Sequence, residues 1–150
     1  MTLVESLALS DSLETSLIIN PIPEIEKALK EQDYFKATAF LAAMLEYYGK
    51  QVIIGKLKKE NRKVRSKKIY ESFSLIHVAV FLYGLKVIDQ PCYSALFKLN
   101  NLRNSLLHIK DMAKFRRKSG KEAEATIRNA MKCIDVLVAK TKENPQVSEC

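Results

Sequence analysis

Tryptophan is absent, and glycine and proline number four each. So few turn-formers exclude a turn-rich β protein and a linker-rich one. No segment alternates as a half-buried strand would. The two histidines, His77 and His108, lie far apart and have no cysteine at ligand spacing, so no metal site is expected. Cys92, Cys133 and Cys150 are an odd set without CxxC spacing, which argues against a disulfide framework and against structural zinc. The expectation is two helix-buried thiols and one at a frayed end, in a reducing, cytoplasmic compartment. The longest apolar run, residues 73–85, is broken by Ser74 and His77 and is too short to span a membrane. It reads as a buried central helix. The first residues lack a basic n-region and carry Glu5 and Asp11, so no secretory leader is expected. Glycine-rich phosphate loops, HExxH and paired carboxylates are also missing, and no cofactor is expected.

What is present suits one domain. The chain has 150 residues, 47% hydrophobic and 28% charged. At that length folding buries roughly 70% of the unfolded chain's surface, enough for a core without staples. The net charge is +8, unevenly spread. Residues 1–35 hold seven acidic and two basic residues, whereas residues 36–150 hold 23 basic and 10 acidic ones. A basic body with an acidic N-terminal segment suggests a polyanionic partner and a segment able to shield it.

The organisation expected is all-α: an antiparallel bundle of four to five helices over residues 21–142. An acidic segment, 1–20, is expected to be mobile or loosely helical, and a flexible tail is expected over 143–150. A short helix is expected over 23–31, entered through Pro21 and Pro23. A long one follows over 33–60, its continuity weakened by Gly49 and Gly55, and the two could be one kinked helix. A third is expected over 67–88. A fourth, capped by Asp89 with Pro91 in its first turn, reaches about 109. Lys114–Gly120 reads as a basic loop. Ser119 and Glu122 form a capping-box pattern opening a fifth helix over 120–141, which buries Ala125, Ile127, Ala130, Met131, Ile134 and Val138.

Two basic segments stand out. Lys56, Lys58, Lys59, Arg62, Lys63, Arg65, Lys67 and Lys68 bridge the second and third helices; Lys110, Lys114, Arg116, Arg117, Lys118 and Lys121 follow the fourth. Such runs suit a phosphate backbone, because each neutralised phosphate releases counterions. The alternative is a solvated charged face. Tyr70 and Phe115 flank the runs and could stack on bases or simply pack. His77, amid LIHVAV, reads as a core histidine satisfied by a neighbour.

The sequence LNNLRNSLLHIK lies late in the fourth helix. Asn100, Asn104 and His108 recur every four residues and line one edge. Arg103 sits beside the apolar stripe, where an unpaired charge is expensive, so it needs a phosphate or an acidic partner such as Glu46. Arg103 and His108 are five apart, about 140° around an ideal helix, so convergence needs a helix end, a long reach or a second copy.

This constellation resembles the HEPN superfamily, whose hallmark is an Arg, four to six residues and then a His, commonly with a polar residue after the Arg. Arg103, Asn104 and His108 match it. The early stretch AFLAAMLEYYGKQVI is similar to the first long helix of many members, so the resemblance in architecture covers roughly residues 23–141. It implies a homodimer that cleaves RNA without metal, through the RNA's own 2′-hydroxyl. His108 would move protons, Arg103 would stabilise developing negative charge, and Asn104 would hold the phosphate or orient His108. It equally admits a non-catalytic RNA-binding or protein-interaction module, such as a scaffold or toxin–antitoxin partner, including one that binds a nucleotidyltransferase. Some members carry a Tyr two residues after the His; here that position is Lys110, which puts such modification in doubt.

Overall fold

The computed structural model describes residues 21–60 and 65–143. Among them the chain is all-α: α1 (Pro21–Lys30), α2 (Tyr34–Lys59), α3 (Ser66–Ser72), α4 (Leu75–Gly84), α5 (Gln90–Leu106) and α6 (Met112–Glu143). The expectations for residues 1–20, for Arg62 and Lys63, and for nearly all of the tail lie outside the described residues. Of the described helices, none is long and apolar enough to cross a membrane.

The long α2 is the spine. Its buried residues include Leu41, Leu45, Ile53 and Ile54, and it packs against every other helix. Its continuity through Gly49 and Gly55 has a packing reason at Gly49. A methyl group there would overlap Val78 Cγ1 and lie 3.3 Å from Leu82 Cδ1, so the missing side chain is what lets α4 approach. Leu75, Val78 and Leu82 from α4, Leu96 and Leu99 from α5, and Ile127 and Leu137 from α6 complete the core. Burying each such side chain contributes about 1.5–3 kcal/mol before entropy is counted.

The helix ends show where sequence signals operate. Asp33 Oδ1 accepts the Lys36 amide at 3.1 Å, and Asp89 Oδ1 accepts the Cys92 amide at 2.9 Å, capping α2 and α5 as their residue types favour. α1 and α2 are separate helices although no glycine divides them. Gln32 takes φ 56°, and the Asp33 amide reaches back to the Ala28 carbonyl at 2.8 Å. This is a Schellman closure, with glutamine where glycine is usual. Lys86 does the same after α4, with φ 60° and the Val87 amide bonded to the Leu82 carbonyl at 2.9 Å.

Three expectations are corrected. The helix expected over 67–88 is two, α3 and α4, broken at Phe73–Ser74 and closed by Lys86. The loop expected at Lys114–Gly120 is helical, because α6 starts earlier, at Met112, with Asp111 Oδ1 accepting the Lys114 amide at 3.1 Å. Phe115 anchors this first stretch edge-on against Tyr34, with ring centroids 6.3 Å apart. Gly120 is buried in the same wall, where a Cβ would lie 3.0 Å from the Tyr34 hydroxyl. The Ser119–Glu122 pattern therefore lies inside a helix rather than at its start, and Ala125 is exposed rather than buried. Finally, the run 73–85 is not buried all round. Val80, Phe81 and Tyr83 are exposed, because α4 meets α2 and α5 on one side only.

Candidate functional site

α5 ends at Leu106, and His108 lies in the turn beyond, its amide donating to the Ser105 carbonyl at 3.1 Å. Leu99 and Leu106 are buried and fix the orientation of the last turns of α5. Arg103 lies at the border of that apolar face, half-buried. Its Nη1 donates to Glu46 Oε1 of α2 at 2.9 Å, and its Nη2 donates to Asn100 Oδ1 at 3.3 Å. Of the two partners open to Arg103 in sequence, the acidic one is present. The guanidinium has five N–H donors, so two bonds leave others for an anion.

Asn104 and His108 are both exposed. The structure therefore brings Arg103, Asn100 and Glu46 together through hydrogen bonds and leaves Asn104 and His108 on the neighbouring surface. Because His108 stands past the last helical residue, ideal-helix geometry does not govern its direction. Among the described residues, a cleft lined by Asn101, Leu102 and Ser105 lies along the same helix without including Arg103, Asn104 or His108.

The basic residues divide by role. Lys56 is half-buried, and its Nζ donates to the Leu85 carbonyl at 2.8 Å, pinning the turn that Lys86 closes. Lys50, unremarked in the sequence, is the buried cation, 8% exposed, with Nζ donating to the Tyr70 carbonyl at 2.9 Å at the end of α3. Both act as lysine caps on helix ends. For Lys50 the only signal was a lone cation amid the apolar neighbours of α2, since Val52, Ile53 and Ile54 follow it closely. Lys67 pairs with Glu71 at 3.8 Å, and Arg116 Nε donates to the Gln32 carbonyl at 3.0 Å. Lys58, Lys59, Arg65, Lys68, Lys110, Lys114, Arg117, Lys118 and Lys121 are exposed. Phe115 packs inward, whereas Tyr70 is 36% exposed.

His77 is corrected. It is exposed, not in the core, and its Nδ1 accepts the Ser74 amide at 3.1 Å at the start of α4. The expectation that a neighbour satisfies it holds, but that neighbour is the helix entry itself. Cys92 and Cys133 are likewise not two separate thiols: they are joined in a disulfide that ties α5 to α6. Tertiary proximity decides this, since their Cα atoms are 6.0 Å apart across 41 residues of sequence. Beside the pair, α5 and α6 run antiparallel and enclose a cleft of about 520 Å³, lined by Lys98, Thr126, Asn129 and Lys132 among others.

Among the described residues two titrations are displaced. Burial pushes the Tyr48 hydroxyl above its ordinary 10.0, and Tyr47 beside it adds to the shift. Hydrogen bonds that Arg128 donates to Glu26 and then to Glu124 raise its guanidinium further above its already high value. Neither group belongs to the Arg103 cluster. Among the described residues no group of three or more His, Cys, Asp and Glu side chains is placed to hold a metal ion. No known protein family, curated protein or solved structure matches this chain.

Proposed function

We propose that the chain is a HEPN-like, metal-independent endoribonuclease acting as a homodimer. The reading is carried by the end of α5, where exposed Asn104 and His108 stand beside an Arg103 held in place by Glu46 and Asn100. A fixed guanidinium with donors to spare suits a phosphate. The exposed basic residues Lys110, Lys114, Arg117 and Lys118 follow directly and would hold the flanking backbone. In the reaction the 2′-oxygen bonds to phosphorus, the bond to the 5′-oxygen breaks, and a 2′,3′-cyclic phosphate is left. The proton leaves the 2′-hydroxyl and one is returned to the 5′-oxygen. His108 performs one transfer, and a second copy of the chain would bring the second group. Arg103 offsets the charge that develops on the phosphorane.

The test is RNA cleavage in EDTA by the wild type and His108→Ala, with matched circular dichroism. Cleavage by the wild type alone, leaving cyclic phosphate ends, supports the reading. No cleavage by either protein on varied RNAs overturns it.

A second reading is favoured by the Arg103–Glu46 pair itself, which neutralises the arginine at 2.9 Å. In it the chain is a non-catalytic RNA-binding or protein-interaction module, such as a scaffold or toxin–antitoxin partner, a nucleotidyltransferase among its possible partners. RNA binding that weakens steeply with salt, unaltered by His108→Ala and without cleavage, is its signature.

A further inference from the structure

Three aromatic rings form a row across α4 and α5, with exposed Tyr83 and Phe97 at its ends and half-buried Tyr93, packed against the core, between them. Tyr83 stacks on Tyr93 with centroids 4.9 Å apart and planes at 28°, and Phe97 continues the row 6.4 Å from Tyr93. Tyr83 is 44% exposed and Phe97 43%. Burial in a core does not explain such exposure, and large exposed rings in a row mark a contact surface.

Their position relates them to the candidate site. On an ideal helix Tyr93, Phe97, Asn100 and Asn104 fall within an arc of about 60°, and Asn104 lies about 10 Å along the axis from Phe97. The row therefore runs along α5 straight towards Asn104 and, past the helix end, His108. Asn100, on the same stripe, is the residue whose Oδ1 holds Arg103.

The stretch of chain that carries the row is one-sided in charge. Between Ser72 and Lys110 the only carboxylate is Asp89, which is engaged in capping α5 through the Cys92 amide. The same stretch carries Lys86, Lys98 and Lys110, besides Arg103, whose charge Glu46 offsets. A partner fitting this face has flat apolar groups and negative charge. Single-stranded nucleic acid has both, and its bases stack on aromatic rings whatever their identity. A duplex hides those base faces.

We infer that Tyr83, Tyr93 and Phe97 form a base-stacking platform that receives an unpaired strand and leads it to Asn104 and His108. The inference rests on the reading of the chain as an RNA-acting protein and adds to it the strand's conformation and the residues that recognise it. Phe97 stands exposed at the site end of the row, and Tyr83 closes the far end.

The test compares two single-stranded deoxyoligonucleotides of equal length and charge, oligothymidylate and its abasic counterpart, by fluorescence anisotropy with the full chain. Lacking a 2′-hydroxyl, neither strand can be cleaved by the proposed chemistry. Oligothymidylate is expected to bind about fivefold or more tightly than the abasic strand. Phe97→Leu and Tyr83→Leu are expected to shrink that ratio while leaving abasic affinity and helix content unchanged. Equal affinity for the two strands, no binding of either, or a ratio that survives both substitutions overturns the platform. So does a change in the sedimentation mass of the free protein on Phe97→Leu, which would mark the row as a contact between copies of the chain. A protein that prefers the base-bearing strand yet never cleaves RNA keeps the platform and loses the nuclease. One that cleaves without the preference does the reverse.

Discussion

Arg103 of α5 and Glu46 of α2 meet at 2.9 Å, with side chains 29% and 22% exposed. The pair joins the candidate site to the spine of the bundle, so changes at Glu46 reach the site through Arg103. At this exposure solvent screens part of the attraction, and a double-mutant cycle of Arg103→Met with Glu46→Gln should give a coupling of about 1 kcal/mol in urea denaturation. If the chain cleaves RNA as proposed, Glu46→Gln should lower stability without slowing cleavage, because the amide oxygen still accepts from Arg103 while the competing charge is gone. Arg103→Lys should lose cleavage at least about tenfold, since a point charge cannot reproduce the guanidinium fork. A faster Arg103→Lys enzyme would remove Arg103 from the chemistry.

Two glycines should respond in opposite directions. At Gly49 a methyl group meets Val78 and Leu82, so Gly49→Ala should cost about 1–3 kcal/mol from overpacking, less the gain in helix propensity. The net should appear as a fall in Tm of several degrees. At Gly84 nothing lies within 4 Å, and Gly84→Ala should stabilise by about 0.5 kcal/mol. Equal effects from the two would contradict the close α2–α4 approach.

The left-handed closures at Gln32 and Lys86, with φ 56° and 60°, carry side chains that disfavour this region. Gln32→Gly and Lys86→Gly should each raise stability by about 0.5–1 kcal/mol, measured by the shift of the urea midpoint. Lys56→Met should lower it, because the Leu85 carbonyl beside Lys86 loses its ammonium donor. A neutral Lys56→Met would leave the lysine as a surface charge only.

Tyr48 sets an alkaline limit. Its hydroxyl is held above 10.0 in the folded chain, chiefly by burial, so between the unfolded and folded values the native state keeps a proton that the unfolded chain has lost. The stability this contributes is complete below about pH 10 and is lost as pH rises through the folded value. Urea midpoints measured from about pH 9 to about pH 11 should fall, and Tyr48→Phe should flatten that fall. An identical decline in the variant would place the alkaline loss elsewhere.

The sequence by itself determined the helical class and the cap at Asp89, because each is a local property: apolar residues at three- and four-residue spacing, or a short acidic side chain one step before a helix. It also marked Arg103 as needing a partner, since a charge at the border of an apolar stripe is costly alone, and it named Glu46 as one of the two partners. What only the tertiary structure decided are matters between elements. Which partner Arg103 takes depends on how α2 lies against α5. The stretch 114–120 is helical because Phe115 and Gly120 pack on Tyr34, a contact no local propensity contains. The ends at Gln32 and Lys86 use left-handed residues without glycine, held by backbone bonds and, near Lys86, by Lys56 reaching across from α2. Cys92 and Cys133 meet because two helices run antiparallel, and the row of Tyr83, Tyr93 and Phe97 exists because α4 and α5 bury only one side each. Periodicity states which face of a helix is apolar; only packing states whether anything covers it.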